Sequence, residues 1–268
     1  MLTVIHLSDL HVHKRKGDPD NKNAAWLVKH LIDRFGGQAK ADTYVVLSGD
    51  LVDDGDLRQY RHLEAEVLRP LARRFTLLPA PGNHDYAWLG NLLKPKSVGL
   101  FDQFVVQANQ KPVGPGRFPR VTEHARERAL FVGLDSADPD GRVGCAEGIV
   151  DATQRKELAK VLRAPQYKTF YRVVYLHHHP FDRGLAVKLN EVDKLLEVLG
   201  RNAHLVLFGH KHQHGAFYGW HHVPLMLASG KVTEAASGNA LTYRVLEISK
   251  GERQRVYTEE VGRAPGTA

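Results

Sequence analysis

Five short groups of potential metal ligands are spaced along the 268-residue chain. They are Asp9-Leu10-His11, Gly49-Asp50-Leu51-Val52-Asp53, Gly82-Asn83-His84-Asp85, His177-His178-His179 and Gly209-His210-Lys211-His212. Each follows a strand-like run. Carboxylate, amide and imidazole donors in this number suit two ions rather than one, and they serve manganese, iron and zinc alike. A pair of ions is a device for attacking phosphorus esters with water. Asp9 and His11 are two apart, so on an extended strand they share a face and reach one ion; His210 and His212 repeat that spacing. Asp50 follows a glycine, where a tight turn can aim a carboxylate, and its two oxygens can bridge two ions. Asn83 adds a neutral amide oxygen. Singly, each group is weak, because Asp-x-His triples and Gly-Asp turns arise by chance. Their joint occurrence at successive strand ends carries the weight.

The elements that must hold these groups are short. Residues 2–8 read as a strand, Ala24 to Phe35 has helical apolar spacing closed by Gly36-Gly37, and Tyr44 to Leu47 is a buried strand. Residues 57–74 read as a helix broken or bent near Pro70, and Phe75 to Leu78 as a strand. Between Asn91 and Arg120 the pattern predicts a loop with one amphipathic segment around Leu100 to Ala108. Strands are expected over 129–134, 171–176, 205–208, 224–228, 242–248 and 255–258, and helices over Thr153–Leu162, capped by Asp151 or Thr153, and Glu191–Leu199. Strands alternating with helices point to an α/β sandwich. In such sheets, functional groups gather at the carboxyl ends of strands.

Bulk properties exclude little. The chain is 43% hydrophobic and 25% charged, as in a soluble globular protein, with no apolar run long enough to span a bilayer. One cysteine, Cys145, cannot form an internal disulfide and sits in a glycine-rich turn. The first residues go straight into a strand pattern rather than a signal peptide, so the expected location is the cytoplasm. The net charge of +7 is compatible with anionic substrates, nucleic acid among them, but the basic residues are dispersed. His30, His62, His124, His204, His221 and His222 fall outside the groups and are expected to be structural or superficial.

The ordered set D-x-H, G-D-x-x-D, G-N-H-[D/E], a histidine ahead of a proline turn, and G-H-x-H resembles the calcineurin-like metallophosphoesterases. The match runs over residues 3–215. The resemblance implies a four-layer α/β/β/α sandwich with two mixed sheets, its metal site at the strand C-terminal ends, in one domain over residues 1–268. It implies that Asp9, His11, Asp50 and His212 hold one ion and that Asp50, Asn83, His177 and His210 hold the other. Asp50 and a water or hydroxide would bridge them. His84 would face the phosphate and leaving oxygen, Asp85 would orient His84, and Asp53 would support the metal shell from behind. The run of three histidines leaves a choice. The family's ligand directly follows its strand, which favours His177, and strand alternation turns His178 to the other face, to hold the turn or touch substrate.

The implied activity is metal-dependent phosphoester hydrolysis by a metal-bridging hydroxide, with no covalent intermediate. Size and layout sit nearest to small bacterial phosphodiesterases of cyclic nucleotides or glycerophosphodiesters. The expected partner is therefore a small-molecule phosphodiester or nucleotide, with no membrane. Nucleic acid is less favoured, and the oligomeric state is not legible. Alternatives are a DNA-end nuclease of the same superfamily, a phosphomonoesterase or nucleotide pyrophosphohydrolase, and a metal-bound scaffold without turnover. Retention of His84 argues against the scaffold. Substrate contacts are expected from the loops at 13–23, 86–100, 178–186 and 213–222. Tyr86, Trp88 and Phe181 could stack on a ring or simply pack the loops, and Arg183 could pair with an anion or lie on the surface.

Overall fold

Short strands buried on both faces set the architecture. In a computed structural model of the chain, residues 1–86, 97–106, 111–138, 146–181, 187–234, 240–250 and 254–265 are described. The first part runs β1 (Leu2–Leu7), α1 (Pro19–Phe35), β2 (Thr43–Ser48), α2 (Leu57–Leu63), α3 (Arg69–Arg74), β3 (Thr76–Ala80), α4 (Asn83–Tyr86) and α5 (Ser97–Phe104). It continues with β4 (Lys111–Pro112), β5 (Arg120–His124), β6 (Ala129–Gly133), β7 (Gly148–Ile149), α6 (Ala152–Arg163), β8 (Tyr171–Tyr175), β9 (Leu189–Asn190) and α7 (Val192–Leu199). It closes with β10 (Leu205–Phe208), β11 (Gly215–Tyr218), β12 (Leu225–Ala228), β13 (Ala240–Ile248) and β14 (Arg255–Gly262).

Two mixed sheets result. The first has the order β14-β13-β1-β2-β3, and the second β11-β12-β10-β8-β6-β5-β4. Within them β1, β2 and β3 are parallel, as are β6, β8, β10 and β12. Alternation along the strands stacks the layers. Ile5, Leu7, Val45 and Leu47 face Leu27, Leu31, Leu63 and Leu71 of the first helices. Leu2, Val4 and Val46 turn the other way, onto Phe131, Val173 and Leu207 of the second sheet. Val174 and Val206 then face Leu158 of α6 and Leu195 of α7. The order is therefore α/β/β/α, as expected. Burying each such side chain contributes roughly 1.5–3 kcal/mol.

Helix ends differ from the sequence expectation in instructive ways. Helix α1 begins at Pro19, five residues ahead of the apolar stripe, because the Asp18 side chain accepts the Asp20 N–H and Pro19 occupies the first turn. Asp151 caps α6. The segment with Pro70 does not break there. A π-helical turn over Glu64–Leu68 joins α2 to α3, and Pro70 falls in the first turn of α3, where a missing N–H costs little. Among the described residues, no helix is long and apolar enough to cross a membrane.

Candidate metal centre

The segments that follow β1, β2, β3, β8 and β10 carry the five groups to one rim of the sandwich. Backbone bonds clip them together: the Asp9 N–H donates to the Gly49 carbonyl and the His11 N–H to the Asp50 carbonyl, both at 3.0 Å. The Gly209 N–H donates to the His177 carbonyl at 3.0 Å. The extended geometry expected of Asp9 and His11 is not found. Asp9, His11, Asp50, His210 and His212 have φ of 56°, 44°, 50°, 78° and 54°. Left-handed backbone is strained for residues other than glycine and concentrates at functional sites, and Asp and His are among the types that tolerate it best. Close approach explains two motif glycines. A Cβ on Gly49, whose φ is +92°, would lie 2.7 Å from His177 Nδ1, and one on Gly209 would lie 1.8 Å from Ser8 Oγ.

Two sets of donor atoms converge, Asp9 with His11 and His212, and Asp50 with His177 and His210. His212 Nε2 lies 3.1 Å from His11 Nε2 and 3.4 Å from Asp9 Oδ1. His177 Nε2 lies 3.1 Å from both Asp50 Oδ2 and His210 Nδ1. Asp50 Oδ2 is also 3.9 Å from His11 Nε2, so this one carboxylate stands between the sets. Donors bound to one ion at about 2.0–2.2 Å must sit about 3 Å apart, which is the spacing seen. His177 Nδ1 donates to the Ser48 carbonyl at 2.9 Å, which turns Nε2 toward the other donors as the nitrogen a ligand would offer once its proton has left. Asn83 Oδ1 is buried without a hydrogen-bond partner. A buried orphan oxygen is costly unless it meets a cation. The residues therefore fit a pair of ions.

The charges point the same way. Burial works to raise both aspartates, yet His212 and His177 hold Asp9 below the usual carboxylate range, and His177, His84 and His11 hold Asp50 well below it. Burial works to lower His177, but Asp50 above all outweighs it and pushes the ring up to about 9. An unperturbed imidazole titrates near about 6.5. Between these values the metal-free fold therefore holds a proton on His177 that the unfolded chain has lost, and this stabilisation fades as pH rises through about 9. Only neutral imidazole binds metal, so loading near neutral pH should expel that proton. Calorimetry in buffers of different ionisation enthalpy should register its release, with affinity rising as pH rises. Affinity that is flat with pH would show the proton is not there.

Other expectations are redistributed. Asp85 does not orient His84. Its carboxylate accepts the N–H groups of Leu51, Val52 and Gly82 at 2.8, 3.1 and 2.8 Å, pinning the Asp50 turn. Burial, then the Asp50 charge, pushes it up to about 7. His84 is held instead through Nδ1, which donates to the Asp53 carbonyl at 2.6 Å, and its ring stands edge-on to His11 at 4.8 Å. Burial lowers His84, but Asp50 and Asp53 outweigh it and hold it above the ordinary imidazole value. Asp53 Oδ1 lies 3.6 Å from His11 Nδ1, on the side of the ring away from the nitrogen that approaches His212.

Tyr86 and His178 are fully buried and cannot touch substrate in this structure. Tyr86 donates its hydroxyl to Asp135 Oδ2 at 2.5 Å, and His178 Nδ1 lies 2.9 Å from Ser136 Oγ. Phe181 packs the loops, its ring against Phe208, Phe217 and Trp220. Arg183, Trp88 and Cys145 lie outside the described residues. Of the six outlying histidines, His30 meets the Tyr243 hydroxyl and His124 meets Asp42, while His221 and His222 are exposed.

A cleft of about 560 Å³ opens beside His212, lined by Gln213, His214, Gly230, Lys231, Glu234 and Thr242. Sequence reasoning missed Lys231 and also His13, whose ring nitrogens approach Asp53 and Asp20. The alternation Asp9, His11, His13 was the available signal.

Comparison with known proteins agrees with this geometry. The model of the calcineurin-like phosphoesterase family matches residues 2–214. No curated protein sequence matches significantly. Among solved structures, a dimetal phosphatase from Danio rerio superposes with a TM-score of 0.67 at 13% identity, covering 98% of each chain. The purple acid phosphatase PPD1 of yellow lupin gives 0.62 at 14% identity over 99% of this chain and 52% of its own. GAP50, the anchor in the inner membrane complex of Plasmodium, gives 0.58 at 14% identity over 99% of this chain and 85% of its own. At such identities these likenesses speak for the fold.

Proposed function

The chain belongs to the calcineurin-like phosphoesterase family, and from that premise we propose that it is a dinuclear-metal phosphodiesterase acting on small-molecule or nucleotide phosphodiesters. The observation that carries the proposal is the position of Asp50 Oδ2, 3.1 Å from His177 Nε2 of one set and 3.9 Å from His11 Nε2 of the other. Asp9, His11, Asp50 and His212 would hold one ion, and Asp50, Asn83, His177 and His210 the second. When bound, such a pair supplies an acidified water as nucleophile and positive charge for the phosphoryl oxygens.

The remaining work falls to the protein. With Nδ1 of His84 spent on the Asp53 carbonyl, Nε2 is left to carry a proton to the departing oxygen. The raised affinity of that ring for its proton favours the acid form. The cleft beside His212 gives room for the alcohol groups of a small diester or a nucleotide.

Protein stripped of metal and reloaded with manganese, iron or zinc should hydrolyse bis-p-nitrophenyl phosphate at least about tenfold faster than p-nitrophenyl phosphate, a gap of about 1.4 kcal/mol. A reversed preference would make it a monoesterase. Salt-sensitive cleavage of DNA in preference to both would favour the nuclease reading.

A further inference from the structure

His13 sits one step outside the proposed ligands, and the contacts around it converge on a single residue. Its Nδ1 lies 3.2 Å from Asp53 Oδ2. The other oxygen of that carboxylate lies 3.6 Å from His11 Nδ1, and the Asp53 carbonyl accepts His84 Nδ1 at 2.6 Å. Asp53 thus faces a proposed ligand, the proposed proton donor and His13 at once. Its side chain is 32% exposed, so nothing in its burial alone fixes it.

His13 is itself anchored. Its backbone N–H donates to Asn21 Oδ1 at 2.8 Å, and Asn21 Nδ2 donates back to the His13 carbonyl at 3.0 Å. Its Nε2 lies 3.3 Å from Asp20 Oδ2 in the first turn of α1, and Lys231 Nζ meets the same oxygen at 2.9 Å. A run of alternating groups therefore links the rim of the cleft beside His212, through Lys231, Asp20, His13 and Asp53, to His11 and His84.

We propose that His13 is a positioning residue, bracing Asp53 against α1 so that Asp53 in turn fixes the rings of His11 and His84. The inference rests on the dinuclear reading of the site. Two bland roles compete with it. An isolated surface pair of this kind contributes little to stability and would leave metal affinity untouched. His13 with Asp18 and Asp20 could also be a third ion site, since their donor atoms cluster. However, Lys231 already supplies a cation to Asp20, and Asp18 is spent as the helix cap.

The test is a double-mutant cycle on metal affinity, measured by calorimetry with manganese alone. Losing a direct partner of a ligand costs about 10- to 100-fold in affinity or activity. Acting at one remove, His13→Ala should weaken one of the two ions by about 5- to 10-fold and leave the other within about twofold. In the Asp53→Ala background the same change should do almost nothing. His13→Asn, whose amide N–H can replace Nδ1 toward Asp53, should recover most of the loss, whereas His13→Gln, which reaches instead toward Asp20, should not.

Wild-type affinities in His13→Ala, additive effects with Asp53→Ala, or failure of His13→Asn to rescue would each overturn the proposal. So would three ions per wild-type chain falling to two in His13→Ala, since His13 would then be a ligand. A wild-type protein that binds two ions but cleaves no phosphodiester would refute the proposed reaction and leave the affinity cycle as a valid test of His13.

Discussion

Asp50→Asn protein should fold, bind no more than one ion tightly, and hydrolyse phosphodiesters about a thousandfold or more slowly, because a shared pair of ions supplies several kcal/mol and each factor of ten needs roughly 1.4 kcal/mol. Asparagine is the informative replacement. Position 50 has φ of 50°, a conformation that asparagine tolerates and alanine does not, and the amide keeps an oxygen for the His84 N–H now bound at 2.9 Å. What is lost is the charge between the two sets. The substitution should also cancel most of the proton release on loading, since Asp50 is the main force raising His177. Melting of the metal-free variant should fall near neutral pH, because the Asp50 charge sustains the proton on buried His177 and that stabilisation goes with it. Wild-type turnover in this variant would remove Asp50 from its bridging role.

His84→Ala should behave differently. The proposed ligands remain, and so does the backbone N–H that His84 gives to Asp50. Metal content should therefore stay near that of wild type while kcat falls about 10²- to 10⁴-fold, the usual contribution of a positioned proton donor. The defect should depend on the leaving group. Diesters that release p-nitrophenolate need little protonation and should lose least, whereas alkyl diesters should lose most. In wild-type protein kcat should decline as pH rises through the His84 pKa, which the structure holds above the ordinary imidazole value, and that limb should vanish in the variant. Equal losses across leaving groups would mean that His84 binds phosphate without donating a proton.

Much of this was legible in the sequence because it is carried by strand ends. A parallel strand buried on both faces is a short apolar run, and the polar residue that stops it emerges at the rim, as at Ser48-Gly49-Asp50. The two-sheet order needed the family resemblance, since β5 and β11, with their intermediate and exposed residues, carry too weak a pattern to be found alone.

The departures share a cause: adjacency in sequence is not adjacency in space. Asp85 and His84 are neighbours on a helical turn, where successive side chains point about 100° apart, so the carboxylate went to backbone amides and the ring to a carbonyl. For Tyr86 and His178, beside the motifs, the sequence leaves packing and substrate contact both open, and in the fold both face the interior. The left-handed backbone that aims Asp9, His11, Asp50, His210 and His212 leaves no mark on residues other than glycine.

The central claim is that these side chains jointly seat two ions that the reaction requires. Its most direct test is a titration of metal-free protein, following bound metal and phosphodiester turnover in the same samples. Activity should be negligible until the second equivalent binds and should plateau at two ions per chain. Full turnover at one equivalent, or in protein that holds none, would contradict the account.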